Sequence, residues 1–166
     1  MARLERSKVI YNRETIEKDT ENIYIFIDNL DRTSGNAILN DENSDYYKKY
    51  HAASKRPIKY PTKSTSAVIR GLNNAFPITI KHRNWGKSCW NDTQFEDFKM
   101  VIDEDIRTIK RAIDILKPKV VYFPVCGLLD NPTSTDITLS KAPRLFNYIL
   151  KKEKELLEYE PNKENY

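Results

Sequence analysis

The chain has 166 residues, of which 39% are hydrophobic and 11% aromatic. This length fits one domain, and the aromatic content is too high for a disordered chain. The 28 Lys and Arg exceed the 24 Asp and Glu by four, and this small excess excludes a polycationic binder of the histone type. Two cysteines are too few for a disulfide scaffold, and no apolar run approaches the roughly 20 residues that span a bilayer. We therefore expect a cytoplasmic globular domain without a membrane contact.

The first half of the chain predicts three strands. Residues 23–27 form a continuous β-branched and aromatic run, which is typical of a strand buried on both faces. The short run at residues 9–11 predicts an edge strand that pairs beside it. Residues 76–80 predict a further strand, in which Pro77 favours an edge position or a strand start.

A long segment between these strands lacks hydrophobic periodicity. Residues 31–63 predict a loop, and a loop of this length inside a compact domain is either functional or disordered. Its part from residue 41 onward interleaves tyrosines with lysines, a pattern that suits contact with a protein or a nucleic acid, although a mobile basic loop is the simpler interpretation. After it, Ser64 or Ser66 is placed to cap a short helix that reaches Leu72.

The second half predicts two helices around one strand. Thr93 and Glu96 have the spacing of a capping box, and Pro118 ends the helix that follows them. Residues 119–124 predict a buried strand, and Pro143 suits the first turn of the last helix. The long helix is indicated by apolar residues that recur at steps of three or four, namely Phe95, Phe98, Ile102, Ile106, Ile109, Ile113 and Leu116.

Alternation of strands and helices predicts an α/β fold: a three-layer α/β/α sandwich with a mainly parallel mixed sheet. One domain would cover residues 1–158, and residues 159–166 would be a frayed tail. In such sheets, ligands bind beyond the carboxyl ends of the strands. The sequence places residues 28–29, 79–81 and 125–127 there.

Two loops at that edge carry polar groups that suit a nucleotide. Asp28 and Asn29 can accept hydrogen bonds from a base or a ribose, and Arg32 can bind phosphate. Alternatively, Asp28 and Asn29 end the strand through bonds to the backbone, and Arg32 is solvated. Gly127 permits close approach of a phosphate, but a single glycine fits a plain turn better, because a phosphate-binding loop normally has two or three glycines.

The remaining polar residues offer cations but no catalytic set. Arg70 and Lys81 bring positive charge towards the same edge, although a cationic run is equally compatible with a solvated face. His51 and His82 lie in polar contexts without a serine or cysteine partner, which favours surface positions. The acidic residues 103–105 fall within the long helix and are expected to turn largely to solvent. We therefore expect no metal site and no pair of nucleophile and base.

Four segments, taken in order, resemble a macro-domain-like family that is common in bacteriophages and bacteria; they are residues 25–32 (IFIDNLDR), 67–79 (AVIRGLNNAFPIT), 102–106 (IDEDI) and the pair Ala142-Pro143. The resemblance implies a three-layer fold that binds ADP-ribose or a related NAD-derived nucleotide beyond the strand ends. It implies catalytic roles for Asp28 and Asn29. It also implies ligand-binding roles for Arg32, Gly35, Arg70, Asn73, Asn74, Thr79, Lys81, Gly127 and Leu128.

The sequence departs from the family pattern where glycines are expected. Ile27 stands where the family has a glycine, and the loops around Gly35 and Gly127 hold fewer glycines than the family's loops. Each lost glycine adds a β-carbon where ligand and backbone would nearly touch. These losses are compatible with a changed or a lost ligand, and if Ile27 and Leu128 fill the cleft, a binding module is favoured over an enzyme.

Three functions remain open at this stage. The first is a phage protein that binds an ADP-ribose-type nucleotide without a cofactor and removes ADP-ribose modifications, or sequesters a nucleotide immune signal as counter-defence in the host cytoplasm. If it is an enzyme, it hydrolyses a glycosidic bond of ADP-ribose, with Asp28 or Asn29 orienting the water. The second is a catalytically inactive scaffold that inhibits a host protein through its Tyr/Lys-rich loop. The third, nucleic-acid binding, is disfavoured by the nearly balanced charge.

Overall fold

The computed structural model describes residues 3–29, 38, 41–45, 66–81, 92–125, 128 and 142–160. In chain order the elements are β1 (Arg3–Arg6), α1 (Arg13–Glu17), β2 (Ile23–Asn29), a 3-10 helix (Ser66–Ile69), β3 (Ala75–Lys81), a second 3-10 helix (Asp92–Gln94), α2 (Phe95–Leu116), β4 (Val120–Phe123) and α3 (Pro143–Leu157). The strands form one sheet in the order β1-β4-β2-β3, and every neighbouring pair is parallel. The chain therefore has the α/β fold that the alternation of elements predicts.

The pleat of β2 sends successive side chains into two different cores. Ile25 and Phe26 are adjacent and both fully buried. Ile25 joins the larger core between the sheet and helices α2 and α3, whereas Phe26 joins a smaller core with residues of α1 and the first 3-10 helix. Burying one such side chain contributes about 1.5–3 kcal/mol. The predicted apolar stripe of α2 is confirmed for Phe98, Ile102, Ile106, Ile109 and Ile113, which are buried, but not for Leu116, which is 53% exposed in the last turn.

The prediction of an edge strand at residues 9–11 is wrong. The edge strand of this part of the chain is β1, which pairs with β4 rather than with β2, and β3 forms the other edge. After β1, the Ser7 hydroxyl donates a hydrogen bond to the carbonyl of Val9 at 2.6 Å and so turns the chain away from the sheet. Val9 and Ile10 are 70% and 61% exposed, whereas Tyr11 is buried and its hydroxyl donates to the carbonyl of Ile25 at 2.8 Å. The β-branched run thus marks a surface segment anchored by one aromatic ring.

Helix α2 differs from the prediction at its N-terminal end only. The second 3-10 helix precedes α2, and the N-cap residue is Gln94, which makes no side-chain cap hydrogen bond. The N-cap of α2 therefore lies one residue after the Thr93 that the capping-box spacing predicts, because Thr93 lies inside the 3-10 turn. At the other end, Lys117 adopts a left-handed conformation with φ 48°, and its N–H donates to the carbonyl of Ile113 at 3.1 Å. Pro118 follows at the predicted stop.

Helix α3 begins at Pro143, as predicted. Its first turn is capped from a distance, since the carboxylate of Asp92 accepts from the N–H of Leu145 at 3.2 Å. Beyond the last turn, the Tyr159 hydroxyl lies 2.9 Å from the carboxylate of Asp114 on α2, so the chain is still tied to the fold there. Among the described residues, no helix combines the length and the apolar character needed to cross a membrane.

Candidate functional site

A buried ion pair lies at the carboxyl end of β2. The guanidinium of Arg70 donates from Nε to Oδ1 of Asp28 at 3.0 Å, and its Nη2 donates to the same oxygen. Both side chains are 0% exposed. Because an unpaired charge is very costly to bury, each of these residues depends on the other for its place in the interior. The sequence interpretation brought these two residues to one site, and the structure brings them into direct contact.

The segment that carries Arg70 runs along the face of the sheet, from the carboxyl ends of the strands to their amino ends. At its start, the hydroxyl of Ser66 accepts from the N–H of Ile27 at 3.1 Å, near the carboxyl end of β2. At its end, the carbonyl of Asn74 accepts from the N–H of Tyr24 at 2.8 Å, near the amino end of β2. Arg70 lies between these points, so its long side chain reaches back towards the carboxyl edge to meet Asp28.

The backbone around Arg70 is held by α1. The guanidinium of Arg13 donates from Nη1 to the carbonyls of Val68 at 3.0 Å and of Arg70 at 2.7 Å. Ile69 is fully buried in the smaller core. Gly71 then turns the chain with φ 88°, a conformation that favours glycine. Arg70 is thereby fixed on both sides before it contacts Asp28.

A second buried carboxylate ties α2 to the next strand. Thr79 lies opposite Asp28 in the register of β2 and β3 and is fully buried. Its N–H donates to Oδ2 of Asp105 at 2.8 Å, which satisfies a donor at the edge of the sheet. Asp105 is only 2% exposed, so the expectation that residues 103–105 all turn to solvent is wrong for it. The signal was its position three residues after Ile102, on the apolar stripe of α2.

The pairing of β2 with β3 is irregular at this edge. Asp28 pairs with Thr79, but the next residue, Asn29, pairs with Lys81, so β3 carries one extra residue. Such a bulge bends the strand and changes the direction of nearby side chains, and bulges are frequent beside active sites. The irregularity therefore marks the same edge as the buried ion pair.

Two predicted ligand-binding residues lie at the opposite edge. Asn74 immediately precedes β3, and its side-chain amide donates to the carbonyls of Ile16 at 2.8 Å and of Asp19 at 2.9 Å. At about 3.3 Å per residue, Thr79 lies about 16 Å further along the strand. Asn73 is exposed and lines a cleft of about 480 Å³ at the amino edge. The structure thus separates Asn73 and Asn74 from Asp28, Arg70 and Thr79, because Asn74 joins the start of β3 to the end of α1.

Comparison with known proteins places the chain in a family. A model described as a family of unknown function, DUF7831, matches residues 6–152. The chain belongs to this family. No curated protein and no solved structure gives a significant match. The DUF7831 match includes Asp28, Arg70, Thr79 and Asp105, but the family description carries no activity, so chemistry has to come from the site itself.

The bulky residues at the missing glycines belong to the core of this DUF7831 member. Ile27 is 5% exposed and Leu128 is 1% exposed, and both pack in the larger core. Ile27 precedes Asp28 in β2 and therefore points to the other face of the sheet. The N–H of Leu128 donates to Oε2 of Glu153 at 3.4 Å, and Oε1 of Glu153 accepts from Nη2 of Arg6 at 3.2 Å. Sequence reasoning missed Glu153, although it lies four residues after Ile149 on the buried stripe of α3.

Several predicted site residues lie outside the described part of the chain. They are Arg32, Gly35 and Gly127, together with the side chains of Asn29 and Lys81. The two histidines and the two cysteines also lie outside it, and only residues 41–45 of the Tyr/Lys-rich loop lie inside it. Their predicted roles stay predictions.

The geometry assigns a positioning role to the ion pair. Asp28 and Arg70 are both inaccessible to solvent, and the guanidinium of Arg70 holds the carboxylate of Asp28. The pair holds the carboxyl end of β2 next to Asn29, the last residue of the strand. The catalytic role expected for Asp28 and the ligand contact expected for Arg70 stay predictions, and the burial of both side chains favours a role in positioning the end of β2.

Proposed function

We propose that this chain binds a nucleotide containing ADP-ribose, or a related NAD-derived nucleotide, at the carboxyl edge of its sheet. The observation that carries the proposal is the buried pair of Asp28 and Arg70 beside the bulge at that edge. In open parallel sheets, ligands bind beyond the carboxyl ends of the strands, where loops diverge from fixed strand ends. The resemblance to macro-domain-like proteins supplies the ligand class.

In this proposal, buried residues position the ends of the strands, and residues at and after the strand ends contact the ligand. Asp28 and Arg70 position the end of β2, and Thr79 with Asp105 fixes the neighbouring end of β3. Direct contacts with the ligand then fall to Asn29, which is the last residue of β2, and to the loops that follow. The proposal is one of binding, because the buried Asp28 is not placed to activate a water.

Titration calorimetry with ADP-ribose and with cyclic ADP-ribose tests the proposal. Two asparagines provide a matched pair of variants: Asn29→Ala at the carboxyl edge and Asn73→Ala, which is exposed at the amino edge. Asn29→Ala is expected to weaken binding by about tenfold or more, as for a lost hydrogen bond to a charged group. Asn73→Ala is expected to bind as the wild type does.

Two results would overturn the proposal. One is the absence of heat with both nucleotides when the protein is folded by circular dichroism. The other is a loss of affinity in Asn73→Ala that equals the loss in Asn29→Ala, which would move the ligand away from the carboxyl edge.

A further inference from the structure

A groove of about 370 Å³ lies on the face of the sheet opposite α2 and α3. Tyr24 of β2 and Tyr122 of β4 line it from the sheet, and Val9 and Ile10 line it from the segment after β1. Its volume falls within the roughly 300–1,000 Å³ of small-molecule sites. Tyr24 lies four residues before Asp28, so the groove is about 13 Å from the ion pair along β2.

The groove contains a fixed aromatic stack. The rings of Tyr24 and Tyr122 are stacked, with centroids 5.0 Å apart and an interplanar angle of 21°. Tyr11 meets Tyr24 edge to face at 5.5 Å. The hydroxyl of Tyr24 donates to Oδ2 of Asp19 at 2.6 Å, which anchors the central ring of the three. The platform is therefore formed before any ligand arrives, which lowers the entropic cost of binding.

The segment beside the stacked tyrosines, at Val9 and Ile10, exposes large apolar side chains to solvent. Val9 and Ile10 are 70% and 61% exposed, and they are neighbours in sequence. The hydrogen bond from Ser7 to Val9 holds this segment in place beside the tyrosines. A flat ring lying against Tyr122 would cover part of these side chains, and covering apolar surface favours binding.

Polar groups at the groove define what kind of ring fits. Glu5 and Lys8 both line it, and neither forms a side-chain hydrogen bond or ion pair with another residue in the part of the chain that the structure describes. The carboxylate of Glu5 can accept from an amino group, and the ammonium of Lys8 can donate to a ring nitrogen or to a phosphate. A plain hydrocarbon ring would leave both of these groups unused.

We propose that this groove binds a purine-type nucleobase carrying an amino group, which stacks on Tyr122 beside Val9 and Ile10. The base can come from a free nucleotide or from a single strand of nucleic acid, since both present the same ring. The site lies on the sheet face and is independent of the nucleotide site proposed at the carboxyl edge.

Calorimetry and amide chemical-shift mapping with adenosine, AMP and a short oligo(dA) test the inference. Two exposed isoleucines give a matched pair: Ile10→Ala removes a groove residue, and Ile115→Ala removes a residue of similar exposure on α2, 61% against 69%. Adenosine is expected to bind with a Kd of about 1 mM or below and to shift the amides of Val9 and Ile10. Ile10→Ala is expected to weaken this by about fivefold, which corresponds to about 1 kcal/mol, and Ile115→Ala to leave it unchanged.

The ligand arms identify the source of the base. Equal affinity for AMP and oligo(dA) supports a free nucleotide, whereas tighter binding of oligo(dA) that weakens as salt rises supports a single strand. The inference fails if adenosine causes no shifts at Val9 and Ile10, or if both isoleucine variants weaken binding equally. It also fails if N-acetyltryptophanamide binds as tightly as adenosine, because Glu5 and Lys8 would then select nothing. Because ADP-ribose also carries an adenine, the shifts of Val9 and Ile10 are recorded in Asn29→Ala as well: persistence of the shifts there assigns them to the groove, whereas their loss assigns adenosine to the carboxyl edge and overturns the inference.

Discussion

Removing one charge of the buried pair should destabilise the domain strongly. In Arg70→Met the aliphatic stem is largely retained, but the carboxylate of Asp28 stays buried without its guanidinium. Breaking a buried ion pair in this way typically costs about 3–5 kcal/mol. Because a domain of this kind is stable by only about 5–15 kcal/mol, Arg70→Met should lose about a fifth of its stability or more.

The chain offers an ion pair with an exposed arginine as a control. Arg107 donates to Glu104 at 2.7 Å within α2, and the side chain of Arg107 is 59% exposed whereas that of Glu104 is 14% exposed. Arg107→Met should cost at most about 1 kcal/mol, because the charge of Arg107 is screened by solvent. The double variant Asp28→Leu/Arg70→Met removes both buried charges and should recover most of the loss, since well-packed apolar residues often replace a buried pair at little cost.

Urea unfolding at neutral pH measures all of these variants. With a slope of about 1–3 kcal/mol per molar urea, a loss of about 4 kcal/mol lowers the midpoint by roughly 1.3–4 M, which is easily resolved. The reasoning is refuted if Arg70→Met costs no more than Arg107→Met. It is also refuted if the double variant is less stable than Arg70→Met, because the cost would then come from packing and not from an uncompensated charge.

Two further predictions concern α3. Asp92→Ala removes the acceptor for the N–H of Leu145 and should lower the free energy of unfolding in urea by about 0.5–2 kcal/mol. Asp92→Asn keeps an acceptor oxygen and should lower it by less. Equal losses in the two variants would contradict the capping role. Hydrogen bonds from Lys110 and then Lys152 hold the pKa of Glu155 below its usual value of 4.5. The stabilisation that the ionised Glu155 contributes is present above its pKa in the unfolded chain and is lost as the pH falls through its pKa in the folded protein. Lys110→Met should therefore lower Tm at pH 7 and have little effect on Tm near pH 3. An equal decrease in Tm at both pH values would exclude this linkage.

The sequence predicts elements whose signal is local and misses those that depend on distant partners. The strand at residues 23–27 and the helix that begins near residue 95 are continuous patterns, and both are confirmed. Strand β1 has only Leu4 between charged residues, and its pairing partner β4 lies more than a hundred residues away, so no local pattern reveals it. Asp105 and Glu153 lie on apolar stripes, where a lone acid is ambiguous until its partner is known.

The candidate site was predicted in part for the same reason. Parallel strands bring their carboxyl ends to one edge, so the topology alone places Asp28 beside Thr79. Residues 67–79 look like one functional motif in sequence. In the structure, the segment from Ser66 to Asn74 runs along the face of the sheet from the carboxyl ends of the strands to their amino ends, and β3 then runs in the opposite direction. Asn74 therefore lies at the amino edge, and only the long side chain of Arg70 reaches back to Asp28. A motif that extends from the carboxyl ends of the strands to their amino ends therefore does not bring all of its residues to one site at the carboxyl ends.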